Sequence, residues 1–344
     1  MTGAIQGNTR TVSREACAWL PIRTTVFEDA DSATIVDAGI RSFLADLPHV
    51  LPAIFSELGS VSVEFREPEI ALSSYITRTS SIHAPPLFRC AKVTAVASFN
   101  PRSDDQGEDA LPMTMVECAD AAYYLGRALD IALDFSELAS PGCVWAVEGP
   151  VVVDGKICSQ TSEKAFFNAL HPRAEFPTEW PPVQSIPLTR VITWAKRIGV
   201  LDGTLAETRL QRAVAAYTNL VALQARYEDE ALFRAMQALE AFYCDGTGDL
   251  RRQISEKSKL WLGGGGATTN VVGQLYDLRS KYIHGSAKLR YRHEITDPWE
   301  QDEKAMRSLS LGASFATRLV VGTLQRCINQ DVADLSWAFE VRTS

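Results

Sequence analysis

Apolar residues recur at helical spacing over 37–57, where Ile40, Phe43, Leu44, Leu47, Leu51, Ile54 and Phe55 fall mostly on one side. Pro48 and Pro52 are expected to bend or split that segment. Val61, Val63 and Phe65 alternate within 60–66 and predict a strand, and 90–99 predicts a second. Residues 100–112, rich in Asp, Gly and Pro, predict a loop. Ala122, Leu125, Leu129, Leu133 and Leu138 predict a helix over 119–138. Residues 144–147 and 151–157 predict a hairpin across Glu148, Gly149 and Pro150, or a strand pair joined by a looser turn.

Five prolines fall within 171–187. They forbid helix and remove ladder donors, so a domain boundary is expected there. Beyond it the period is helical nearly throughout. Helices are predicted over 205–224, 228–243, 249–262 with Asp249 as a cap, 270–284, and about 299–329. The four glycines at 263–266 are expected to interrupt the series, because they give up too much backbone entropy to stay helical. Five helices with short connections make a bundle. The expected fold is an α+β domain over 1–187 followed by an all-α bundle over 188–344, its core at about 205–330.

Composition narrows the class. The chain has 344 residues, 46% hydrophobic and 22% charged, as in ordinary globular proteins. No apolar run reaches the roughly 20 residues that cross a bilayer, so no membrane partner is expected. The N-terminus lacks a basic region followed by an apolar one, so no secretory signal is expected. Seven scattered cysteines without a Cys-x-x-Cys pair are expected to be reduced thiols in a cytoplasmic protein. No Cys/His cluster has metal-ligand spacing, so neither metal nor cofactor is expected.

The net charge of −8 is uneven. Residues 1–189 hold 13 Lys+Arg against 24 Asp+Glu, a net of −11, whereas 190–344 hold 21 against 18, a net of +3. Arg279, Lys281, Lys288, Arg290 and Arg292 lie within 279–293, a run without an acid. Such a strip can attract a polyanion, although a solvated basic face is the simpler reading on charge alone.

The run Tyr276-Asp277-Leu278-Arg279-Ser280-Lys281-Tyr282-Ile283-His284-Gly285 carries the most chemistry. It places an arginine and a histidine five positions apart at the end of a predicted helix, with Gly285 as its stop. Arg-x4-His alone is weak: Arg78 and His83 repeat it in a Ser/Thr-rich segment without helical period. Five helical residues turn about 500°, so the two side chains leave the helix about 140° apart.

With Ala238-Leu239-Glu240-Ala241-Phe242-Tyr243 on an earlier helix, the run resembles the HEPN domains, most closely the ApeA-type branch, over roughly 205–330. The resemblance implies an all-helical bundle acting as a metal-independent endoribonuclease in prokaryotic antiphage defence or growth arrest, usually as a homodimer. It nominates Arg279 and His284 as the catalytic pair. Glu240 lies beside the apolar stripe of its helix, either orienting the arginine or standing as a plain boundary residue. Ser280 stands where many members have Asn, Asp or His. The basic strip suggests Lys281, Tyr282, Lys288, Arg290 and Arg292 as RNA contacts, with an exposed lysine at 281 and a core tyrosine at 282 as the plainer alternative. The N-terminal domain would be a sensor, a regulator or a partner-binding module.

The residue types suit that chemistry. RNA carries its own nucleophile, the 2′-OH. Histidine can take or give a proton near pH 7, and arginine can hold two phosphoryl oxygens. A helix C-terminus favours positive charge, which suits His284 as acid or phosphate ligand. Two readings compete with catalysis: a bundle that dimerises or holds RNA without turnover, and a plain helix cap at His284.

Overall fold

The structure, a computed structural model, describes residues 11–23, 30–66, 88–100, 112–164, 180–203, 205–222, 228–264, 266–288 and 298–337. The Arg78/His83 pair, most of the expected 100–112 loop, Arg290, Arg292 and the 171–179 part of the proline-rich stretch lie outside them. The chain divides into two units: Met1–Leu133 with Val144–Glu163, and Asp134–Cys143 with Lys164–Ser344.

The first unit is built on an antiparallel sheet of β1 (Val12–Arg23), β2 (Leu58–Phe65), β3 (Phe88–Phe99), β4 (Pro150–Val153) and β5 (Lys156–Gln160), in the order β2-β3-β1-β4-β5. Side chains alternate across each strand, so one face takes Ala16, Ala18, Leu20 and Ile22 from β1 and Ala91, Val93, Ala95 and Ala97 from β3, all buried. Helices α1 (Ala30–Ile54) and α2 (Met113–Asp134) belong to this unit, apart from the last residue of α2. Gly126 brings α2 close over the β4–β5 ribbon: a Cβ there would lie 3.5 Å from Val151 and Ser159. Arg14 on β1 pairs with the buried Glu117 of α2 at 2.5 Å.

Three expectations change here. Helix α1 begins earlier than expected and runs unbroken through Pro48 and Pro52. Its buried residues Phe43, Leu44, Leu47, Val50 and Leu51 flank Pro48 and lead up to Pro52, and that burial outweighs the lost N–H donors. The hairpin does not turn at Glu148–Pro150. It turns at Asp154 and Gly155, both at positive φ (51° and 76°), the geometry a tight two-residue loop needs. Residues 144–147 contribute only an isolated bridge from Ala146 to Ile22. The longest strands, β1 and β3, pair over twelve residues, and β1 was not expected at all.

The second unit is mostly helical: α3 (Ser136–Ala139), α4 (Leu188–Arg197), α5 (Arg209–Ala222), α6 (Glu228–Tyr243), α7 (Leu250–Leu262), α8 (Gly266–Ile283) and α9 (Pro298–Asn329), the last kinked at Asp302. Helix α6 is the hub and packs on α5, α7, α8 and α9. It can do so because Leu232, Ala235, Met236, Leu239, Phe242 and Tyr243 give it a wide buried face. Gly263 ends α7 in the left-handed conformation, its N–H donating to the Lys259 carbonyl at 2.8 Å. Asp249 is not the expected side-chain cap of α7. Its backbone is left-handed (φ 54°), and its carboxylate instead pairs with Arg252. Among the described residues, no helix is long and apolar enough to cross a membrane.

Candidate functional site

Helix α8 carries Arg279, Ser280, Lys281 and Tyr282 in its last turns, and His284 follows its final residue, Ile283. Its end is closed by main chain. Gly285 takes φ 69°, which lets the N–H groups of Ser286 and Ala287 turn back to the Lys281 carbonyl at 2.9 and 3.1 Å. The His284 N–H continues the helix to Ser280 at 3.0 Å. The terminal turn is thus capped without the His284 ring, which is exposed and makes no hydrogen bond among the described residues. The plain-cap role for that ring is therefore not needed.

Arg279 turns the other way, toward α6. Its Nη2 lies 3.4 Å from Glu240 Oε1, with about four-fifths of each side chain buried. The guanidinium also sits 5.8 Å above the Tyr276 ring. The pairing is loose: Arg279 Nε and Glu240 Oε1 are both buried, and neither has a hydrogen-bond partner among the described residues. Burial pushes the Glu240 carboxyl above its ordinary range, and the charge of Arg279 opposes that only in part. Arg279 and Glu240 are brought together as expected, whereas no contact joins Arg279 to His284 among the described residues.

The remaining expected residues scatter. Lys281 is exposed, Ser280 and Tyr282 are half-buried. Lys288 is exposed but bound to Asp302 at 2.7 Å, so the basic strip is neutralised at two points once Arg279 is counted. An open groove of about 540 Å³ runs between α8 and α9, lined by Val271, Leu275, Leu278, Lys281, Leu311 and Phe315 among others. Gly312 sets its depth, since a Cβ there would meet Leu278 at 2.5 Å. No group of three or more His, Cys, Asp or Glu with metal-ligand placement occurs among the described residues.

A second polar cluster escaped the sequence. Lys257 is 1% exposed, and its Nζ donates to Asp245 Oδ2 at 2.5 Å and Gln253 Oε1 at 2.9 Å. It also lies 5.5 Å from the Trp337 ring, which stands among Phe242, Tyr243 and Trp261. Arg209 holds the other side of Asp245 and caps the end of α6 through the Phe242 and Cys244 carbonyls at 3.2 and 2.7 Å. The available signal was periodic: Lys257 follows the buried Ile254 by three positions, on the inner face of α7.

No family model, curated protein or solved structure matches the chain.

Proposed function

We propose that the helical unit is a metal-independent endoribonuclease of HEPN type, acting as a homodimer in antiphage defence or growth arrest. The observation that carries the reading is the exposed His284 ring, without a hydrogen bond among the described residues, at a main-chain-capped helix end five residues after an arginine that holds its own counter-acid. The setting in defence rests on the HEPN resemblance alone.

In this reading the 2′-oxygen of RNA attacks the adjacent phosphorus. The new P–O2′ bond forms as the P–O5′ bond breaks, leaving a cyclic phosphate and a 5′-hydroxyl. One histidine removes the 2′-OH proton, and another protonates the departing oxygen. His284 from each of two copies would divide these roles across a two-fold axis. Arg279 would stabilise charge on the phosphoryl oxygens, commonly the largest catalytic contribution. Lys281 would help hold the strand. The α+β unit would supply control, through a partner or directly.

The test is cleavage of labelled RNA by the full chain in EDTA. His284→Ala should lower the rate about 10²–10⁴-fold, the span of one lost acid or base. Arg279→Ala should lower it by a similar factor. Cuts that persist in both variants, or that need a divalent ion, would refute the enzyme. A second reading, an RNA-holding module without turnover, draws on the pairing of Arg279 with Glu240. It predicts binding that Arg279→Ala weakens, with no cuts in any variant.

A further inference from the structure

We infer that Glu240 is a latch on Arg279, and that an RNA phosphate takes the Nε–Nη2 edge of this guanidinium only by displacing Glu240. This deepens the proposed function and rests on it for the identity of the anion.

The geometry of the guanidinium carries the inference. Its two-point complexes with oxyanions use a terminal nitrogen, either with the other terminal nitrogen or with Nε. Here the terminal Nη2 faces Glu240, and the neighbouring Nε is buried with no acceptor among the described residues. The Nε–Nη2 edge is therefore turned into the bundle, with the Tyr276 ring against the guanidinium. No phosphate can reach that edge while the pair is closed.

The closed pair is also weak. The contact is 3.4 Å and lacks hydrogen-bond geometry, so Glu240 Oε1 gains attraction without a directed donor. Burial already disfavours the Glu240 carboxylate. A phosphodiester entering from solvent offers Arg279 two oxygens in place of one poorly aligned oxygen. Glu240 acts through Arg279 and touches no reacting atom, so it is a positioning residue that sets affinity.

The experiment measures binding apart from cleavage. Full-length protein is titrated in EDTA against a short fluorescein-labelled 2′-O-methyl RNA, which lacks the nucleophile. Wild type, Glu240→Gln, Arg279→Ala and the double variant are compared, each with its thermal melt. Glu240→Gln should bind roughly three- to fivefold tighter, the fold-change equivalent of losing a competing, partly exposed ion pair. The gain should vanish in the double variant, which should match Arg279→Ala. Unchanged or weaker binding by Glu240→Gln with an intact melt overturns the latch. So does an equal gain in the double variant, which would report only a change in overall charge. Absence of binding by every variant overturns it as well. Failure of the nuclease reading looks different: uncleaved ordinary RNA in all variants, with the binding pattern retained.

Discussion

The Lys257–Asp245 pair allows a prediction of unequal effects. Lys257 is 1% exposed, whereas the Asp245 side chain is 47% exposed. Breaking a fully buried pair by removing one partner costs about 3–5 kcal/mol, mostly because the other charge is left stranded. Asp245→Asn strands the buried ammonium. Gln253 still accepts from it, and water reaches position 245, so the expected loss is reduced to about 2–3 kcal/mol. Lys257→Met strands a half-exposed carboxylate that keeps Arg209, and a methionine can lie against Trp337. That loss should be about 0–1 kcal/mol. Denaturant unfolding at pH 7, followed by tryptophan fluorescence, gives both values. Asp245→Asn should also lower the melting temperature by roughly 5–10 °C. Acid supplies a second check. Hydrogen bonding from Lys257, and then the charge of Arg209, hold the Asp245 carboxyl below its ordinary value of 3.8. A depressed carboxyl stabilises the fold above its unfolded value, and that stabilisation fades as pH falls through the lower folded value. The gap between wild type and Asp245→Asn should therefore close below pH 3.8. A costlier Lys257→Met, or a gap indifferent to acid, would refute the reasoning.

Other substitutions probe single contacts. Gly149→Ala would set a Cβ 1.8 Å from the Trp19 carbonyl oxygen and 2.8 Å from Pro21 Cδ. The obstacle is backbone, so a loss above about 3 kcal/mol is expected, and an unchanged melt of the sheet unit would contradict this packing. Gly285→Ala meets no atom within 4 Å, so its cost is conformational only. About 1 kcal/mol and faster amide exchange at Ser286 and Ala287 are expected; unaltered exchange would count against the capped end. For Glu240, burial raises the folded carboxyl pKa, so its stability contribution is complete below the unfolded value and is lost as pH rises through the folded one. Glu240→Gln should therefore gain stability relative to wild type as pH rises above the ordinary carboxyl value of 4.5, and a difference that shrinks with pH would reverse the assigned cause.

What the sequence discloses depends on how local the cause is. Strand β2 was legible because Val61, Val63 and Phe65 alternate with Ser62 and Glu64, and β3 matches the strand expected over 90–99. Strand β1 was not, because Trp19 points to the face opposite Ala16, Ala18 and Leu20 and is also buried, which blurs the contrast that alternation relies on. The hairpin turns at Asp154-Gly155, itself a strong two-residue signal, whereas Gly149 serves a close approach to Trp19. Helices α5 to α9 were readable to within a few residues because each has a broad apolar stripe. Within the candidate site, Arg279 and His284 could be named from their motif. Glu240 was recognisable as the polar edge of the α6 stripe. Lys257 was hidden because a lysine's burial is decided by partners from elsewhere in the chain, here Asp245 and Trp337.

The two units exchange a short piece of chain, and this governs how the protein can be divided. Residues 134–143 belong with 164–344 although they are threaded between α2 and β4. Asp134 accepts from the Tyr217 hydroxyl at 2.8 Å, Leu138 from Gln325 at 2.9 Å, and Ala139 from the Ile186 N–H at 2.7 Å. A fragment starting at Lys164 would lack all three acceptors. A polypeptide severed just before that lysine would instead behave as a split protein, its earlier piece lending ten residues to the later one. During synthesis, those ten residues leave the ribosome well before their partners on α9, so the helical unit cannot be completed until the last long helix has been made.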